Sequence, residues 1–351
     1  MLAPITHVIA LTTFHRERLL PRPGRVLVCK GDKVKPLDVI AEVSHPTEHV
    51  WLDLAKGLGI APERVPHVLQ VPVGDRVTKG DVLAGPIGFA RRVVRSPYSG
   101  RLILLRNGQV LIQLDSAPLR VRAGIPGKVV SIAPEYGATI ECSGALVQGV
   151  WGNGKVDTGL LRLVASKPDE VLTAERMQIG LRGAVVLAGC CEDLGALQAA
   201  AELPVRGLIF ASMSAALLTS AARMDYPIMI TEGFGRIPMN SAAFNLLTTN
   251  EGREITLNAE PFDRYVASCP EAVIPLPVTQ AVTAPSRSCL LQPNRRVRVV
   301  RAPYRSKVGT LVSLRPGLVS LPNGLRARAA TVRLADEKTV ILPLANLEIL
   351  E

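Results

Sequence analysis

Apolar positions in the first hundred residues fall in short β-branched runs that restart after the same turn. Residues 24–43 read GRVLVCKGDKVKPLDVIAEV and residues 66–85 read PHVLQVPVGDRVTKGDVLAG. Each segment carries a Gly-Asp turn (Gly31 and Asp32, then Gly74 and Asp75), a valine two residues later, and an Asp-Val-(Ile/Leu)-Ala ending. The pattern predicts two copies of one small β unit, with residues 96–103 (SPYSGRLI) closing the sheet. Between the copies, the spacing of Val50, Leu54 and Leu58 predicts a short helix ending at Gly57 or Gly59.

Residues 119–165 return to strands (RVRA, GKVVSI, ATIEC, LLRLVAS), as a second β module or an extension of the first. From about residue 168 the period changes. Apolar strands at 183–189, 207–211 and 227–230 alternate with helical runs at 192–203, 214–224 and 240–249, and residues 255–257 form a further short apolar run. Strands that alternate with helices pair in parallel through right-handed crossovers, so a compact α/β unit of three or four strands is expected. Residues 270–293 are spaced by prolines without either period and read as a linker. Residues 295–350 alternate again.

These patterns predict an α+β multidomain chain. Its parts are a β-rich region with a short inserted helix at 1–116, a small β module at 117–167, a three- to four-stranded α/β domain at 168–268, a proline-rich linker at 269–293 and a C-terminal barrel at 294–351.

The repeat resembles the barrel-sandwich hybrid of biotinyl and lipoyl carriers, membrane-fusion adaptors, RnfC-type electron-transport subunits and part of RNA polymerase. That fold serves many ends, so the resemblance implies architecture and not activity. A carrier offers one lysine in a Met-Lys or Ala-Lys signature at a hairpin tip. Lys30, Lys33, Lys35 and Lys79 lie beside the turns without that signature and read as surface. In the last module, Val297 and Val299, the loop at 303–307, Gly309 and Leu311 resemble the KOW family of ribosomal proteins and elongation factors. The resemblance implies a five-stranded SH3-like barrel, and departs from the motif where Ser306 and Lys307 replace the usual loop glycine.

Composition narrows the classes. Hydrophobic content of 48% with only 4% aromatic residues implies cores of Val, Leu, Ile and Ala. No run reaches the 18 or so apolar residues of a membrane span and no signal pattern precedes the first strands, so a soluble cytoplasmic protein is expected. Six scattered cysteines without a CxxC pair suit a reducing compartment and exclude a zinc or iron–sulfur pattern. The formal charge of +11 is concentrated at the end: residues 291–351 hold 11 basic and 4 acidic residues, whereas 116–290 hold 14 and 16. Such asymmetry favours a polyanionic partner.

Two motifs fit their chemistry poorly. His45 to His49 spell HxxEH, but Pro46 is tolerable only if a helix begins there, the motif sits in a connection inside the β repeat, and no distant carboxylate presents itself as a third zinc ligand. Gly149 to Lys155 satisfy GxxxxGK, but Val156 stands where a magnesium-binding Ser or Thr is needed. Neither a metal nor a cofactor is expected.

The α/β strand ends form a candidate ligand pocket of Gly189, Cys190, Cys191, Ser212, Ser214, Thr231, Glu232, Gly233 and Arg236. If it is catalytic, Cys190, Glu192 and Glu232 are the candidate groups, since every histidine falls at or before His67. In the barrel, Arg295, Arg296, Arg298, Arg301, Tyr304, Arg305 and Lys307 offer cations beside one stackable ring, the combination that single-stranded RNA contact needs. The favoured expectation is a non-catalytic adaptor for nucleic acid or a ribonucleoprotein. The alternatives are a ligand-binding protein or enzyme at the strand ends, and a structural subunit with protein partners.

Overall fold

The computed structural model describes residues 2–43, 48–89, 91–115, 118–263, 268–277 and 289–351. The chain is β-rich and multidomain, with its strands in several sheets.

Both repeat copies are completed, one inside the other. In the outer copy, Lys33–Val34 pairs with Gly127–Ala133, Val39–Val43 with Leu119–Arg122, and Gly137–Gln148 with both Gly127–Ala133 and Val8–Leu19. In the inner copy, Arg76–Val77 pairs with Gly100–Arg106, Val82–Ile87 with Arg92–Arg95, and Gln109–Leu114 with both Gly100–Arg106 and His49–Asp53. The turns match bond for bond: Gly31 N–H donates to Val129 O and Gly74 N–H to Leu102 O, both at 2.6–2.8 Å. Asp38 and Asp81 each accept a backbone N–H from three residues upstream, at 2.8 and 2.7 Å. That bond holds the Asp81 carboxyl below the usual carboxylate range.

Residues 96–103 therefore close the inner copy, and residues 119–142 close the outer one. Two cores follow. Leu54, Leu58, Val77, Leu83, Leu102 and Ile112 fill the inner copy, and Phe14, Ile40, Ile125, Val129 and Ile140 fill the outer.

The expected helix at 50–60 shrinks to Leu54–Leu58, capped by Asp53 Oδ1 on Lys56 N–H at 2.8 Å and ended by Gly59 in the left-handed region. The β-branched and aromatic residues before it join the strand His49–Asp53 instead. A strand at Val8–Leu19 was not legible in the sequence, because its polar residues mask the alternation that buries Val8, Thr12 and Phe14.

Val156–Leu163, Ala184–Leu187, Gly207–Met213 and Ile228–Phe234 pair in parallel, as the change of period predicts. Helices at Leu194–Glu202, Leu218–Arg223 and Ser241–Thr248 fall in the connections. Two of the expected ranges differ from the structure. Val156–Leu163, expected in the β module ending at 167, is a strand of the parallel layer. Glu271–Pro275, expected in the linker, is a strand buried between Glu254–Asn258 and Gly137–Gln148. A single sheet thus runs from the outer copy through the parallel layer, with twelve strands among the described residues. Residues 278–288 of the expected linker lie outside the described residues.

The C-terminal sheet has six strands where five were expected: Arg296–Val299, Val308–Leu314, Ala329–Leu334, Thr339–Pro343 and Leu347–Leu350 are joined by Ile5–Thr6. Leu2–Ala3 also pairs with Cys289–Leu290. The last module is therefore tied to the first residues of the chain. No helix among the described residues is long and apolar enough to cross a membrane.

Candidate functional site

The two sets of residues singled out for separate roles meet each other. Arg298, expected to face phosphate, is 4% exposed and points into the end of the parallel layer. Its guanidinium donates to Glu232 Oε2 at 3.1 Å, to Thr231 O at 3.3 Å, to Glu348 Oε2 at 2.5 Å and to Thr6 Oγ1 at 3.3 Å. Facing carboxylates outweigh the cost of burying the cation and raise its pKa above the ordinary arginine value.

Glu232, expected as a ligand or catalytic carboxylate, is fully engaged. Its second oxygen accepts from Asn240 N–H at 3.0 Å and Nδ2 at 2.6 Å, while Asn240 Oδ1 caps the helix Ser241–Thr248 through Ala243 N–H at 2.9 Å. Ser306 Oγ donates to Glu232 Oε2 at 3.0 Å. Glu232 and Arg298 therefore join two modules, with Glu348, Thr6, Asn240 and Ser306 as partners that local patterns did not reveal.

Ser306 adopts a backbone conformation that favours glycine. Its φ of 65° lies in the left-handed region that glycine adopts without penalty. Ser306→Gly relieves that strain while losing the hydroxyl, whereas Ser306→Ala loses the hydroxyl and keeps the strain. The alanine variant is expected to be less stable than the glycine variant by about 1 kcal/mol, measured by urea unfolding.

The remaining strand ends are closed. Cys190 and Ser212 are fully buried. Ser212 Oγ donates to Cys190 Sγ at 3.3 Å, accepts from Ile237 N–H at 2.9 Å, and Cys190 Sγ donates to Ile237 O at 3.7 Å. Val171 bridges Cys190 in parallel, and the Glu170 backbone covers Gly189, where an added Cβ would stand 2.2 Å from Glu170 O. Burial pushes the Cys191 thiol up to about 12, the reverse of an activated nucleophile. Thr231 donates to Phe210 O at 3.3 Å, Ser214 N–H to Cys191 O at 2.9 Å, and Gly233 lies under Arg305. Only Glu192 and Arg236 face solvent, paired at 3.8 Å.

The phosphate-loop match is also resolved. Trp151–Gly152 is an edge strand on Ile228–Phe234, and Val156 begins a strand, so no helix N-terminus follows Lys155. His45, Pro46 and Thr47 of HxxEH lie outside the described residues, and His49 starts a strand. No group of three or more metal-ligating side chains occurs among the described residues.

The other basic residues of the last module divide by partner. Arg295 holds Glu351 at 3.0 Å and Lys307 holds Asp336 at 2.9 Å. Arg296, Arg301 and Arg305 are exposed and enter no ion pair with a described residue. The pairing of Arg296 with Thr310, and of Thr310 with Arg333, puts Arg333 in the same cross-strand row, and Lys338 Nζ lies 5.3 Å from the Tyr304 ring centre. Arg333 and Lys338 were missed because cross-strand register is not visible in one strand's sequence. Neither protein-family models nor curated proteins give a match to this chain.

Proposed function

We propose that the chain is a non-catalytic modular adaptor that holds nucleic acid or a ribonucleoprotein on the exposed cations of its last module. The observation that carries this reading is the set of solvent-facing Arg296, Arg301 and Arg305, none in an ion pair with a described residue, with Arg333 in the cross-strand row of Arg296 and Lys338 over the Tyr304 ring. Unpaired guanidinium groups neutralise phosphate without first giving up a carboxylate, and a partly exposed ring offers a stacking surface. In this reading the last module is a KOW-like, SH3-like barrel, and the nested β copies are barrel-sandwich units that position it. Buried thiols and an engaged Glu232 leave the strand ends little to offer a substrate.

The test uses the full chain, because removing residues after 290 would strip the partners of Ile5–Thr6 and leave Glu232 buried without Arg298. Fluorescence anisotropy with labelled single-stranded RNA and duplex DNA across a salt series is the measurement. Binding should weaken steeply with salt, and the combined Arg296→Gln, Arg301→Gln, Arg305→Gln variant should lower the RNA slope of log K against log salt by about 2. No binding at low salt, or a slope the variant leaves unchanged, would reject the proposal.

A further inference from the structure

The inner β copy carries an apolar row on its outward sheet face where the outer copy, built on the same pairings, carries a polar one. Three cross-strand rows define it. Arg101, Gln113 and His49 form one, Leu104, Leu111 and Trp51 the next, and Arg106, Gln109 and Asp53 the third. Trp51 is 52% exposed and Leu104 41%. Successive rows on one face lie about 7 Å apart, so the apolar row has an arginine row on each side.

The outer copy serves as an internal control. Its register is the same, down to the irregularity between Val129 and Ser131 that matches the one between Leu102 and Leu104. There the corresponding rows are Lys128, Glu141 and His15, then Ser131, Thr139 and Glu17, then Ala133, Gly137 and Leu19. This fold therefore accepts a polar Ser, Thr and Glu row where the inner copy has Leu, Leu and Trp. The apolar row is not demanded by packing. One of the flanking positions, Arg106, stands where the outer copy has Ala133.

We infer that this face is a second binding site and that its ligand is single-stranded nucleic acid, with a base stacked on Trp51 and phosphates on Arg101 and Arg106. The ligand class rests on the nucleic-acid reading of the last module. The site itself rests on the comparison of the two copies.

The charges support that ligand. Arg101 and Arg106 are exposed and pair with no described carboxylate. Two acids of this sheet are already engaged: Asp115 holds Arg76 at 2.8 Å, and Asp53 accepts from Lys56 N–H at 2.8 Å and Gln109 Nε2 at 3.3 Å. A duplex keeps its base faces stacked internally and cannot offer one to the indole, whereas a single strand can.

The chain has two tryptophans, so the full-length Trp151→Phe protein leaves Trp51 as the sole reporter. A short deoxythymidine oligonucleotide should quench Trp51 fluorescence, and a duplex of equal length should not. The Trp51→Glu, Leu104→Ser, Leu111→Thr variant, which installs the outer copy's row, should bind the labelled oligonucleotide about tenfold more weakly by anisotropy. Arg101→Gln with Arg106→Gln keeps the reporter and should lower the salt slope by about 1.4. If the oligonucleotide binds by anisotropy but Trp51 is not quenched and neither variant changes affinity, this site is rejected while the last module stands. If Trp51 is quenched and the Arg296, Arg301, Arg305 variant binds as wild type, the last module is rejected as the contact and this site stands. If the oligonucleotide binds nowhere, both fail, and the face is left as a surface for a protein partner.

Discussion

Arg298→Met is expected to destabilise the protein by about 3–5 kcal/mol, the cost of leaving buried carboxylates without their cation. Glu232 and Glu348 both direct an oxygen at the same guanidinium, at 3.1 and 2.5 Å, and neither side chain is more than 14% exposed. Methionine fills much of the arginine's volume, so the loss reports charge more than cavity. Adding Glu232→Gln and Glu348→Gln to Arg298→Met should recover most of it, because the neutral amides no longer need a counter-charge. Trp151 fluorescence in urea is a suitable readout, since its ring lies edge-on to Phe234, two residues beyond Glu232, with centroids 6.1 Å apart. A loss below about 1 kcal/mol for Arg298→Met would mean the cluster is screened as a surface pair is, and the joint between modules would then rest on strand pairing alone.

Gly100→Ala and Gly127→Ala are each expected to cost about 2–3 kcal/mol, through overpacking against a neighbouring strand. A Cβ at Gly100 would stand 2.1 Å from Gln113 O, and one at Gly127 would stand 2.2 Å from Glu141 O. These are equivalent places in the two copies, beside Val77 and Val34 respectively. The losses should be similar in size and different in reach. Hydrogen exchange should show Gly100→Ala loosening residues 48–115 alone, because that copy has its own two sheets and its own core. Gly127→Ala should loosen the parallel layer as well, since Gly137–Gln148 carries the sheet from the outer copy into it. Equal exchange patterns in the two variants would show that the copies do not open independently.

The contrast between these sites marks how much was legible beforehand. The Gly-Asp turns, the two copies and the alternation of strand with helix after residue 168 were readable because short-range patterns fix them: a turn residue, a period of two, a period near 3.6. Nesting was not readable. Residues 24–43 need the partners at 119–142, and nothing in a local window says that the second copy is inserted before those partners arrive. The same limit hid Glu271–Pro275, whose prolines read as a linker although its residues from Glu271 to Ile274 are buried. Arg16 holds Glu271 there at 2.6 Å, a pair separated by most of the chain.

Among the candidate residues, exposure decided the outcome. Arg296, Arg298, Arg301 and Arg305 are alike in sequence, yet Arg298 is a buried joint and the others face solvent. Arg296 and Arg298 lie two apart on one strand and share a face, so which of them another module covers depends on where the chain returns. By itself the sequence determined the turns, the repeated β unit, the parallel layer and the basic end, because each follows from neighbours along the chain. Only the tertiary structure decided that Glu232 belongs to Arg298, that the first residues complete the last sheet and that Trp51 is left uncovered, because those depend on contacts between segments whose separation no local pattern records.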